Sequence, residues 1–223
     1  MKSVEAVIFD MDGLMFDTER LSLESWRLAG RELSLHIPTS VAVSVIGRVW
    51  QDIETILKKK MGPGFPVETY RRCANIHYQR LISEKPFPVK PGLIELLSFL
   101  SQDSLKTAVA TSSRCETADM KLRAGGVLEF FDAVVAGDQV ANGKPAPDIF
   151  LEAARRLNIN PEHCVVLEDS RMGIRGAHAA GMKPIMVPDL IAPDEEMRSL
   201  TLEIFPTLSD FLAYFRRYRG IGG

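Results

Sequence analysis

The sequence predicts an α/β protein, a doubly wound parallel sheet (Rossmann-like core) with an inserted helical cap domain. Three observations carry that expectation. Short, continuous apolar runs alternate with helical patterns, as strands covered on both faces require. The stretch from about Asp17 to Phe87 breaks the alternation, with helical periodicity and no strand pattern. Polar residues capable of chemistry gather where the strands end, which is where open α/β sheets bind ligands.

Taken in order, the first strand pattern is Ala6–Phe9. In the insertion, Ile53, Ile56, Leu57 and Met61 form one apolar stripe. Tyr70, Cys73, Ala74, His77, Tyr78 and Leu81 form another, and "MGPGFP" (61–66) turns between the two. "EKPFPVKPG" (84–92) carries three prolines and marks the return to the core. The domains expected are therefore 1–16 with 88–223, and 17–87. Leu93, Leu96, Leu97 and Leu100 share a helix face, followed by strands at Lys106–Ala110 and Ala133–Ala136. Ile149, Phe150, Ala153, Ala154 and Leu157 predict a helix before the strand Cys164–Leu167. Arg171–Ala180 reads as a helix stopped at Gly181, then a strand at Pro184–Val187. Thr207 caps a last helix with Leu208, Phe211, Leu212 and Phe215 on one side. The spaced glycines of residues 173–181 lack the dinucleotide fingerprint and read as close helix–sheet packing.

Composition narrows the functional classes. The 223 residues are 46% hydrophobic, enough for a sizeable core. With 27 Lys+Arg against 29 Asp+Glu, the net charge of -2 gives no pull toward nucleic acid or membrane. The basic tail Arg216–Gly220 reads as a solvated end. Cys73, Cys115 and Cys164 make no CxxC pair, and His36, His77, His163 and His178 show no metal-ligand spacing. The pattern thus predicts neither a disulfide framework nor a zinc site. No signal-like leader or bilayer-length apolar run is present, so the cytoplasm is the expected address.

The strand exits hold the chemistry. The first leads into Asp10-Met11-Asp12-Gly13, the second into Thr111-Ser112-Ser113-Arg114, and the fourth into Glu168-Asp169-Ser170. Lys144-Pro145 follows the third at a distance. Singly, each is an ordinary acidic turn, a helix cap or a solvated lysine. Together they are the parts phosphoryl transfer requires. Asp10 would attack phosphorus, and Asp12 would act as general acid and then as general base. Asp10 and Asp169 would share Mg²⁺ through oxygen. Thr111 would bond the transferring oxygens, and Lys144 would offset their charge.

"DMDGLMFDTE", "ATSSR", "GKPAPDIF" and "LEDSRMGIRGA" resemble the four motifs of the haloacid dehalogenase superfamily. More narrowly, they resemble its helical-cap phosphatases and phosphohexomutases, including the β-phosphoglucomutase and pseudouridine-5′-phosphatase branches. The resemblance implies Asp10 as nucleophile and Asp12 as acid/base. It implies Mg²⁺ held by Asp10, the Asp12 backbone carbonyl and Asp169, with Glu168 beside it, and a phosphoryl group held by Thr111 and Lys144. The insertion would be a lid that sets specificity, and the protein a monomer acting on a small phosphorylated metabolite. Ser112 and Arg114 are expected at the substrate, as are Arg48 and Trp50 from the cap. For the latter two, a surface Arg and a core Trp are equally natural readings. Mutases of this group carry a His where this chain has Ser22, and an Arg where Trp50 stands. Both departures favour a phosphatase, with a phosphosugar mutase as the alternative. A dehalogenase would not need Asp12. A non-enzymatic phosphoacceptor of the receiver type would lack the insertion.

Overall fold

Strand β1 (Ala6–Phe9) is apolar at every position and wholly buried, which suits only the middle of a sheet. The computed structural model describes residues 4–45, 50–84 and 87–220. In it β1 pairs in parallel on both sides. The other strands are β2 (Lys106–Thr111), β3 (Ala133–Ala136), β4 (Cys164–Glu168), β5 (Lys183–Met186) and β6 (Glu203–Ile204). All pairings are parallel, in the order β3-β2-β1-β4-β5-β6. The chain thus winds to one side of β1 and then to the other. That reversal opens a crevice at the carboxyl ends of the central strands. Phe9 is level with Val109 and Leu167, and the Asp10 N–H donates to the Leu167 carbonyl at 3.0 Å. The ladder therefore carries Asp10 one residue past β1.

Two strands run one residue further than the sequence pattern suggests, so Thr111 and Glu168 are their last residues. The fifth lies at Lys183–Met186, shifted one residue toward the N-terminus. β6 has no sequence pattern to reveal it, being two residues long with Glu203 exposed. Its flanks attach to β5 through Leu202 N–H to the Pro184 carbonyl (2.8 Å) and Phe205 N–H to the Met186 carbonyl (2.9 Å).

The chain divides into two compact units, Met1–Phe16 with Val89–Gly223, and Asp17–Pro88. The second is helical: α1 (Thr18–Glu32), α2 (Thr39–Ser44), α3 (Trp50–Met61) and α4 (Val67–Glu84). Its core joins Ala29 of α1 to Tyr70, Cys73 and Ala74 of α4, with Trp26, Leu33, Leu35, Ile37 and Phe65 against them. The Tyr70 hydroxyl donates to the Trp26 carbonyl at 2.5 Å, which satisfies a buried polar group inside that contact.

The sheet unit carries α5 (Leu93–Gln102), α6 (Cys115–Ala124), α7 (Asp148–Leu157), α8 (Arg171–Ala179), α9 (Glu195–Leu200) and α10 (Leu208–Arg219). Ala6, Ile8, Ala108, Ala110 and Val166 pack against Ile149, Phe150, Ala153, Ala154 and Leu157 of α7. Because side chains alternate along a strand, Asp10 is the next residue in the Ala6–Ile8 row. α5 meets α10 through Phe99 and Phe215, edge to face at 6.3 Å. Each fully buried side chain of this size contributes about 1.5–3 kcal/mol. Thr207 caps α10 by accepting from the Asp210 N–H at 3.2 Å. No helix among the described residues is long and apolar enough to cross a membrane.

Candidate active site

At the exit of β1 and β4, Lys144 Nζ lies 2.5 Å from Asp10 Oδ1 and 2.5 Å from Glu168 Oε1. Asp169 completes the group: one oxygen each from Asp10, Glu168 and Asp169 lies within 4.8 Å of the others. Asp10 is 7% exposed, Glu168 0% and Asp169 7%, so water cannot balance their charge. Three carboxyl groups and one ammonium crowd a single buried space, where charge is costly unless it is paired. Burial pushes the Asp10 carboxyl above its ordinary value; Lys144 opposes the shift and Glu168 adds to it. Burial pulls Lys144 down, but Asp10 and Glu168 outweigh it and hold the ammonium charged.

Local structure fixes these groups. Glu168 Oε2 accepts from the Ser170 N–H and hydroxyl, both at 2.9 Å, while Ser170 Oγ caps α8 by accepting from the Gly173 N–H at 3.1 Å. Any side chain at Gly173 would collide with the Glu168 carboxylate. Gly13, at φ +88°, lets the chain turn sharply after β1. A Cβ there would strike the Asp169 carboxylate, so the Asp12–Gly13 backbone runs directly against it. Lys144 enters from the loop after β3 through a cis Lys144–Pro145 bond and lies over the Phe150 ring at 5.1 Å. A buried, all-oxygen trio of carboxylates fits a hard divalent cation such as Mg²⁺.

Asp12 has different partners. Its Oδ1 is 2.5 Å from Lys121 Nζ, and its Oδ2 accepts from the Ser113 hydroxyl at 2.9 Å. Sequence reasoning missed Lys121. Its signal was a lysine on the buried face of α6, spaced with Ala118 and Leu122. Ser113 is not the α6 cap. Arg114 holds that position, and Asp138 accepts from the Cys115 N–H at 2.9 Å. Thr111 is buried, and its Oγ1 accepts from the Ser113 N–H at 3.1 Å.

The remaining candidates lie elsewhere. Ser112 is exposed, and Arg114, also exposed, faces Asp138 at 3.6 Å rather than the carboxylates. Trp50 begins α3 half-buried, with the Arg71 guanidinium 4.7 Å from its ring centre. Its indole N–H is buried and meets no acceptor among the described residues. Arg48 falls outside the described residues.

A family profile of haloacid dehalogenase-like hydrolases matches residues 7–187. A phosphorylated carbohydrates phosphatase from Thermotoga maritima is 35% identical over 182 residues, 82% of this chain and 84% of that one. The β-phosphoglucomutase of Bacillus subtilis is 32% identical over 216 residues, 90% and 93% of the two chains. The crystal structure of a family hydrolase from Deinococcus radiodurans, with bound phosphate and sodium, matches with a TM-score of 0.80 at 25% identity. That match covers 96% of each chain.

Proposed function

This chain belongs to the haloacid dehalogenase-like hydrolases, and on that premise we propose that it is a Mg²⁺-dependent phosphatase of small phosphorylated metabolites. A sugar or nucleoside phosphate is the substrate class. The observation that carries this reading is the buried Asp10–Lys144–Glu168–Asp169 cluster at the exit of the two central strands.

In the proposed reaction, an Asp10 carboxylate oxygen attacks phosphorus as the ester bond breaks, forming an aspartyl-phosphate. Asp12 gives its proton to the leaving oxygen, then takes one from the water that cleaves the acyl phosphate. The Ser113 hydroxyl and the Lys121 ammonium both donate to Asp12 and hold its ionised form, the one that takes the proton from water. Thr111 and nearby backbone N–H groups bond the phosphoryl oxygens, and Lys144 offsets their charge. Asp10, Asp169, Glu168 and the Asp12 backbone carbonyl would hold the ion, whose chemistry is to neutralise the carboxylates and the incoming phosphate. The helical insertion 17–87 serves as a cap that sets specificity through residues such as Arg48 and Trp50, and Ser112 and Arg114 are the substrate-binding candidates of the sheet unit. The enzyme is monomeric and cytoplasmic in this reading.

Similarity to a β-phosphoglucomutase keeps phosphosugar mutation as the second reading, and Ser22 and Trp50 weigh against it. The experiment is phosphate release from a panel of phosphorylated sugars and nucleotides with Mg²⁺. Release that stops on chelation and in Asp10→Asn supports the phosphatase. Glucose phosphate isomerised without release would establish the mutase.

A further inference from the structure

Away from the strand exits, the helical unit gathers three residues with metal-binding side chains. Cys73 and His77 stand four residues apart on α4, on one face, and Glu32 is the last residue of α1 opposite them. His77 Nε2 is 2.9 Å from Glu32 Oε2, and Cys73 lies beside the same carboxylate. One donor atom from each lies within 4.8 Å of the others. These donors come from two helices that share a packed core, so their positions are set by tertiary packing.

The donor chemistry selects the ion. Thiolate, imidazole and a single carboxylate suit a borderline-soft cation and not Mg²⁺, which prefers oxygen alone. Zn²⁺ bonds of about 2.0–2.3 Å to such ligands in a tetrahedron place the donors about 3.3–3.6 Å apart. The His77–Glu32 pair at 2.9 Å would open by a few tenths of an ångström, a side-chain adjustment. Cys73 is 7% exposed and the Glu32 side chain 63%, giving a closed wall on one side and an entry path on the other.

A nucleophile–base–acid chain uses the same residue types. Here the His77 Nε2 is engaged by the Glu32 carboxylate, and no hydrogen bond among the described residues joins the imidazole to the thiol as a nucleophile–base pair requires. Burial and the Glu32 charge also raise the thiol above its ordinary value, the reverse of an activated cysteine.

We propose that Glu32, Cys73 and His77 form a Zn²⁺ site with an open fourth position, tying α1 to α4 within the helical unit. Binding would displace the thiol proton to solvent and add a cross-link between the helices.

The test uses the full chain in excess Mg²⁺ with Co²⁺ as the probe, because cobalt bound to a thiolate shows a near-ultraviolet charge-transfer band. One equivalent should produce that band in the parent protein and in Cys115→Ser, and not in Cys73→Ser or His77→Ala. In parallel, stoichiometric Zn²⁺ should raise the thermal midpoint of the parent protein and leave that of His77→Ala unmoved. No band at one equivalent, or a band that persists in Cys73→Ser, overturns the site. If Cys73→Ser does not fold, the half-buried His77 decides: an unchanged band and midpoint shift in His77→Ala overturn it equally.

Discussion

Lys144 stands between Asp10 and Glu168 at 2.5 Å from each, so its removal should hurt in two separable ways. Lys144→Met leaves buried carboxylates uncompensated, and metal-free protein should lose about 3–5 kcal/mol in a urea melt. Saturating Mg²⁺ should restore part of that loss, while turnover stays down by about 10²–10³-fold. Asp12→Asn should slow turnover by about 10²–10⁴-fold without changing the melt as strongly, since Asp12 is more exposed than Asp10. The Asp10 carboxyl is raised by burial, with Lys144 opposing and Glu168 adding, so the folded state holds its proton to a higher pH than the unfolded chain does. That contribution is complete below the unfolded value near 4 and is lost as pH rises through the folded one. Metal-free parent protein should therefore lose stability, relative to Asp10→Asn, as pH rises from about 4 to about 8. Denaturant melts across that range check it, and Mg²⁺ should flatten the difference. Asp10, Glu168 and Asp169 stood out in the sequence as acids at strand ends, and Lys144 as a lysine in the loop after β3; the structure brings the four together. Lys121 did not stand out, because it sits within α6 rather than in a loop beyond a strand, where a lysine reads as part of a solvated helix face.

At the scale of elements, legibility followed length and burial. α7 was plain because Ile149, Phe150, Ala153, Ala154 and Leu157 recur at helical spacing and are all buried. The runs at Ala6–Phe9 and Ala133–Ala136 coincide with strands: the first is central and wholly buried, and the second lies at the sheet edge with Val135 and Ala136 buried. β6 escaped because two residues carry no period, and its place is set by hydrogen bonds from its flanks to β5. The end of β4 at Glu168 escaped because a charged residue reads as an exit; its pairing with Met186 holds it in the ladder. Thr207→Ala should remove the α10 cap at about 1 kcal/mol. Calorimetry should then find a midpoint lower by about 2–4 °C. Gly173→Ala on α8 should act differently, displacing the Glu168 carboxylate. It should lower Mg²⁺ affinity in a titration of activity and leave the far-ultraviolet spectrum unchanged.

Across the whole molecule, the sequence's alternation of strand and helix matches one six-stranded parallel sheet flanked by helices, and the family match spans residues 7–187. The helical unit's internal core was visible as the Tyr70–Cys73–Ala74 stripe. Its Glu32–Cys73–His77 cluster was not, because ligands drawn from two helices leave no contiguous motif. Balanced overall charge explains little at this scale; the consequential charges are the few enclosed beside β1 and β4. The most direct measurement of the central claim is mass spectrometry of residues 7–19 after acid quenching during turnover of a phosphate ester with Mg²⁺. The account predicts a phosphoryl group on Asp10 that forms only with the ion present. Full turnover with Asp10 unmodified, and undiminished in Asp10→Asn, would contradict it.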